Sequence, residues 1–323
     1  MTNTEVASVE WEKIPALELR AGPYKAQVIP GFGGHLISFG DDKTAFLRKP
    51  VNLGAYLILP EAYGLPVLFP PNFIDGCGFR ARGTEYHLPA NKAGGTRHFH
   101  GLLYQRSWQV DRISNSNTAA ELDLSFTSPA GGEVYRWFPH PFCARLQYRL
   151  EEGRLTQEIS FENRDDRPMP MMLGFHTAFA LPDRAQDPEA YRIRIGIGDG
   201  LKADVRSPAE APMTDFREGR ILRKGESVFG QFYAGSFEDQ PGRPCHGALI
   251  ENLRTGKKLR YTTDEQFGYW VIWNQNGDDS FLCIEPQTCA INAANMHQEQ
   301  DLFGFKMLDA GKTFSAKNSF TVE

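Results

Sequence analysis

Cysteine is scarce in this chain. Cys77, Cys143, Cys245, Cys283 and Cys289 make an odd set of five, and no two stand at C-x-x-C spacing. That pattern excludes a disulfide framework and a zinc knuckle, and it points to a reducing compartment, the cytoplasm. Long apolar runs are missing too. Ala55 to Leu59 is among the longest, far short of the about 20 residues a helix needs to cross a bilayer, so no membrane partner is expected. The opening Met1-Thr2-Asn3-Thr4-Glu5-Val6 has no basic or apolar segment, so no secretory signal is expected. The 35 Lys and Arg against 40 Asp and Glu leave a net charge of −5 with no basic stripe, which argues against nucleic acid. A sustained 3.6-residue period, a repeat and a low-complexity tract are likewise absent.

What is present points to strands. The 23 Phe favour a sheet core over a helix bundle, and 31 Gly with 21 Pro imply many turns. Apolar and polar residues alternate through Glu121-Leu122-Asp123-Leu124-Ser125-Phe126, Leu155-Thr156-Gln157-Glu158-Ile159-Ser160-Phe161 and Tyr191-Arg192-Ile193-Arg194-Ile195, and Phe281-Leu282-Cys283-Ile284 is a short apolar strand segment. Such alternation turns one side of each strand inward and the other toward water. Glu151-Glu152-Gly153, Arg254-Thr255-Gly256 and Asn276-Gly277-Asp278 supply turns between them. The expectation is an all-β, large antiparallel β-sandwich forming one domain over 1–323, with short helical turns near Pro182 to Ala190. Leu201 to Gly225, rich in Pro, Glu, Arg and Gly, is expected as a surface loop.

Three segments set titratable groups among glycines and aromatics: Arg97-His98-Phe99-His100-Gly101, Gly174-Phe175-His176-Thr177-Ala178-Phe179 and Cys283-Ile284-Glu285-Pro286-Gln287-Thr288. Glu285 follows an apolar strand that Pro286 is expected to stop, which would place the carboxylate at the sheet rim, partly desolvated and more basic for it. A solvated strand-end glutamate is the plain alternative. His176, between Phe175 and Phe179, is either a hydrogen-bonded core residue or a general acid that lends a proton near neutrality. His98 and His100 would share one face of a strand, as a metal pair does, but no further ligand stands at a set spacing, so no metal is expected. Gly101 favours a tight turn holding His100 at a cleft edge.

The order of motifs resembles the aldose 1-epimerase (galactose mutarotase-like) family. The pieces are Val28-Ile29-Pro30-Gly31-Phe32-Gly33-Gly34-His35-Leu36, Val67-Leu68-Phe69-Pro70-Pro71-Asn72, Gly83-Thr84-Glu85-Tyr86-His87-Leu88, His100-Gly101, Trp108-Gln109-Val110, Tyr148-Arg149-Leu150, Asn163, Gly174-Phe175-His176, Ile284-Glu285-Pro286 and Asn292-Ala293. The resemblance implies a supersandwich fold and an isomerase that interconverts α and β anomers of an aldose, a sugar of carbohydrate metabolism, without cofactors. It further implies Glu285 as base, His176 as acid and His100 as the imidazole near the ring oxygen. Asn72, Arg80, His98 and Trp273 are the candidate sugar-binding residues, with Trp270 and Phe175 as further stacking candidates. Phe73 stands where galactose mutarotases carry an arginine, Thr177 where their histidine motif continues with proline, and an acidic residue expected around Glu226 to Phe229 has no clear match. Which sugar binds therefore stays open, as do a hexose 6-phosphate substrate, with Arg80, Arg82 or Arg97 as its cluster, and a monomer or homodimer. A non-catalytic carbohydrate-binding protein, a metal-dependent enzyme using His98 and His100, and a lyase or hydrolase are the other readings. Hydrolysis would want paired carboxylates, and Glu285 alone stands out.

Overall fold

The computed structural model describes residues 4–91, 95–187, 189–197, 200–201, 214–223, 225–234, 237–240, 243–278, 280–296 and 303–323. Most of the stretch expected as a surface loop lies outside them. The alternating segments form strands, and consecutive ones pair as hairpins. Phe142–Glu151 and Arg154–Asn163 pair along their full lengths from Glu151↔Arg154, with Gly153 at φ 73 closing the turn. Along Phe142–Glu151, Leu146, Tyr148 and Leu150 are buried while Gln147 and Arg149 face outward, the pattern of a half-buried strand.

Two large sheets result. One has nine strands in the order Gln109–Asn115, Ala119–Ser128, Phe142–Glu151, Arg154–Asn163, Thr313–Val322, Lys258–Thr263, Gly247–Asn252, Tyr191–Ile195 and Arg220–Ile221. The other runs Gly200–Leu201, Phe229–Ala234, Tyr269–Trp273, Phe281–Gln287, Gly174–Phe175 and Val67–Leu68, with Ala178–Ala180 also on Phe281–Gln287. A single apolar cluster holds Leu146, Ile159 and Phe320 of the first sheet with Phe175, Leu282 and Ile284 of the second. Aromatic contacts cross between them: Phe69 stacks on Phe161 at 4.6 Å and Phe179 meets Tyr261 edge-on at 5.4 Å. The architecture is the expected antiparallel sandwich. A four-stranded meander, Thr4–Trp11, Ile14–Ala21, Tyr24–Ile29 and His35–Gly40, packs against Ala119–Ser128 and Phe142–Glu151. The expected helical turn appears as a 3-10 turn, Pro182–Ala185.

Strand alternation decides where a site can lie. On Phe281–Gln287, Leu282 and Ile284 point into the sandwich core, while Phe281 and Cys283 pack on the other face with Ala62 and Ala178. Glu285 shares that second face by the same period of two. The short helix Leu53–Ile58 and the 3-10 turn Pro60–Ala62 lead into this region.

Candidate active site

Pro286 does not end its strand, and the expectation of a rim glutamate is corrected. The strand continues to Gln287, with Trp270↔Pro286 and Tyr269↔Gln287 across one edge, and Glu285 is 1% exposed. The ladder on the other edge explains why proline is tolerated. Ile284 N donates to Thr177 O at 3.0 Å and Thr288 N to Leu173 O at 2.8 Å, so the missing N–H of residue 286 falls between them. There the partner chain divides into Gly174–Phe175 and Ala178–Ala180. A proline at such an interruption forfeits one ladder bond and no more.

His176 sits at that interruption. Counting inward from Ala178↔Cys283 and Gly174↔Gln287 places it directly across from Glu285, where cross-strand side chains on one face meet. His176 Nε2 lies 3.2 Å from Glu285 Oε1, with both side chains buried. On the opposite neighbour, Trp273 pairs with Cys283, diagonal to Glu285. Its ring meets the His176 ring at 5.6 Å and 83°. Trp270 and Phe175 belong instead to the main core with no exposed surface, so of the three stacking candidates only Trp273 borders the pair.

His100 arrives from the first of the three sequence segments. The strand Arg97–Phe99 ends before it, and His100 and Gly101 take left-handed φ values of 59 and 79. A Cβ on Gly101 would lie 2.2 Å from Phe69 O, so only glycine allows this approach. His100 N donates to Asn72 O at 2.6 Å and Leu102 N to Phe69 O at 2.8 Å, which locks the turn. The His100 ring stands perpendicular to His176 at 5.3 Å, and its Nε2 lies 3.4 Å from Glu61 Oε1. His98 goes elsewhere: its Nδ1 meets Pro89 O at 2.6 Å. The two histidines therefore do not present the joint face a metal pair needs, because the chain leaves the extended conformation at His100.

Glu61 is 4% exposed and lies in the turn Pro60–Ala62. Arg48 braces that turn. Its guanidinium donates to Ala62 O at 3.2 Å, pairs with Asp278 at 3.2 Å, and lies 3.8 Å over the Phe281 ring. Burial pushes the Glu285 carboxyl well above the usual carboxylate range, and the charge of Glu61 adds to it. Burial, then the charge of Glu285, likewise hold the Cys283 thiol well above its ordinary value. Donor atoms of His176, Cys283 and Glu285 lie within 4.8 Å of one another. Chelation through Cys283 would need a thiolate, which its burial opposes.

A family model described as aldose 1-epimerase matches residues 15–321. The chain belongs to the aldose 1-epimerase family. A galactose mutarotase-like protein from Clostridium acetobutylicum superposes with a TM-score of 0.88 at 28% identity, over 100% of this chain and 98% of that one. A galactose 1-epimerase from Lactobacillus acidophilus NCFM shares the fold, with a TM-score of 0.73 at 16% identity over 100% and 99% of the two chains. YihR of Escherichia coli (strain K12) is 30% identical over 165 residues, 50% of this chain and 48% of YihR. The match thus spans about half the length of that relative.

In this aldose 1-epimerase family member the structure brings Glu285, His176, His100 and Trp273 together, with Asn72 joined to His100 through its carbonyl. His98 lies beside the cluster but is engaged by Pro89. Arg80 is exposed and ion-paired to Glu85 across a hairpin. Arg97 lies 4.3 Å over the Phe73 ring and pairs with Asp75 at 2.6 Å. Thr177, in place of proline, meets the Tyr261 hydroxyl at 3.1 Å inside the sandwich. Sequence reasoning missed Glu61 and Arg48. The available signal was an acid set in the apolar run Leu59-Pro60-Glu61-Ala62-Tyr63.

Proposed function

We propose that this protein is an aldose 1-epimerase that interconverts the α and β anomers of an aldose with Glu285 and His176 as its acid–base pair. The observation that carries the reading is the 3.2 Å contact between His176 Nε2 and Glu285 Oε1 in a buried setting. Mutarotation moves only protons and one C–O bond. A base takes the proton from the anomeric hydroxyl, an acid gives one to the ring oxygen, and the C1–O5 bond opens to the aldehyde. Rotation about C1–C2 turns the other carbonyl face to O5, and the same steps run backward. The working unit therefore needs one base and one acid, which is a pair holding a single proton.

Burial favours that state. Without a proton the pair carries a net −1 and with two a net +1, and a site where both groups are shielded from water disfavours either, whereas one shared proton leaves the pair neutral overall. Each proton transfer is worth roughly 10²–10⁴-fold. The Trp273 ring offers an apolar surface for sugar C–H groups, and Asn72 stands next to His100 for hydroxyl contacts. Because burial raises the Glu285 carboxyl, the pair keeps its proton to higher pH than an exposed glutamate would, and the high-pH limb of the rate profile shifts upward accordingly.

Two variants test the roles. Glu285→Gln and His176→Asn are each expected to bind an aldose in calorimetry and to lose anomer exchange by about 10²-fold or more. Exchange within twofold of wild type in either variant removes that residue from the mechanism. Sugar binding by a wild type that never accelerates exchange indicates a non-catalytic binder.

A further inference from the structure

We infer that Glu61 is a positioning residue for His100: its carboxylate holds the imidazole with the proton on Nε2, so that Nδ1 is presented as an acceptor for a sugar hydroxyl proton. This rests on the reading of the site as an epimerase, and it adds a second, separate polar unit beside the Glu285–His176 pair.

The geometry is that of a charged acceptor on a ring nitrogen. Glu61 Oε1 lies 3.4 Å from His100 Nε2, with side-chain exposures of 5% and 8%. An ionised carboxylate can only accept, so the ring nitrogen facing it must carry hydrogen. In the neutral ring the other nitrogen then has a lone pair. That atom, His100 Nδ1, is buried and without a hydrogen-bond partner among the described residues. A buried acceptor without a partner is costly, and a ligand hydroxyl would satisfy it. The left-handed His100-Gly101 turn and the bond from His100 N to Asn72 O fix the backbone, and Glu61 fixes the ring on it. Arg48, bound to Ala62 O and stacked on Phe281, ties the Glu61 turn to the strand that carries Glu285.

The other ionisable groups near His100 do not compete for Nε2. His98 is turned to Pro89 O. His176 meets His100 ring to ring and directs Nε2 to Glu285. The Tyr104 ring stands perpendicular at 6.2 Å, and burial, with the Glu61 charge second, pushes its hydroxyl up to about 12, so it stays protonated. Carboxylates that orient metal-bound histidines matter about 10–100-fold when removed, and the same orienting role here is expected to have an effect of that order.

Side-chain ¹⁵N spectra of the histidine-labelled full chain test the inference first. The wild type should show His100 protonated on Nε2, and a His100 signal with the proton on Nδ1 overturns the proposal without any variant. Glu61→Gln keeps the volume but can turn an amide N–H toward Nε2. It should move the His100 proton toward Nδ1 and lower kcat/KM for anomer exchange at least about tenfold, with a thermal midpoint near that of wild type. An unchanged His100 tautomer, or exchange within twofold of wild type, contradicts the role. Failure of the wild type to accelerate anomer exchange would instead refute the epimerase reading, while the tautomer measurement still stands.

Discussion

The proposed role requires Glu285 to be ionisable while the fold buries it, and the two demands oppose each other. Its carboxyl lies well above the usual range because water is excluded and Glu61 adds a like charge. A group with a raised folded-state pKa favours folding fully only below its unfolded value, and that contribution is lost as pH rises through the folded one. Glu285→Gln should therefore stabilise the protein at neutral and alkaline pH, by about 1 kcal/mol as active-site neutralisations often do, and add little below about pH 4. Thermal melts of the two proteins across pH check this, and equal midpoints at pH 8 would contradict it. His176 carries the complementary expectation: His176→Asn loses exchange, yet in the Glu285→Gln background it should cost little further, because a pair that shares one proton acts as a unit. Double-variant kinetics decide it. Both residues stood out in the sequence as titratable groups among aromatics. Glu61 did not, because its meaning comes from a contact with His100 that no local pattern encodes.

At the scale of elements, the site depends on an interrupted ladder and a left-handed turn. The strand Phe281–Gln287 was legible to Ile284 from its apolar run. Its continuation through Pro286 was not, because proline stops a ladder unless the missing N–H faces a gap, and the gap is made by Gly174–Phe175 and Ala178–Ala180 elsewhere in the chain. The His98–His100 pairing failed for a related reason. A period of two holds only while the backbone stays extended, and His100 leaves it at φ 59. Gly101→Ala tests the turn. Its Cβ would meet Phe69 O at 2.2 Å with φ at 79, so the loop must shift. A loss of more than about 1 kcal/mol in stability is expected, together with at least tenfold slower exchange. Wild-type stability and activity would show that the approach is not needed.

At the scale of the molecule, the alternating segments were enough to read an antiparallel sandwich, since each strand declares its inward face. The sequence could not show which strands become neighbours across the sheet. Thr313–Val322 lies between Arg154–Asn163 and Lys258–Thr263 in the middle of the nine-stranded sheet, paired on both edges. Phe320 from this strand stacks on Tyr261 at 4.7 Å. We read the chain as one cooperative unit on this ground. Deleting residues 313–323 should leave a chain without cooperative unfolding or dispersed amide signals, whereas a folded truncated chain would show that the sheet closes without its central strand.

Saturation transfer between α and β anomer signals tests the central claim most directly. It would be followed by NMR for glucose, galactose and a hexose 6-phosphate, with wild-type protein and with Glu285→Gln. The account predicts faster exchange of at least one of these sugars with the wild type and none above background with the variant. Equal acceleration by both proteins, or none by the wild type across a broad aldose panel, would contradict it.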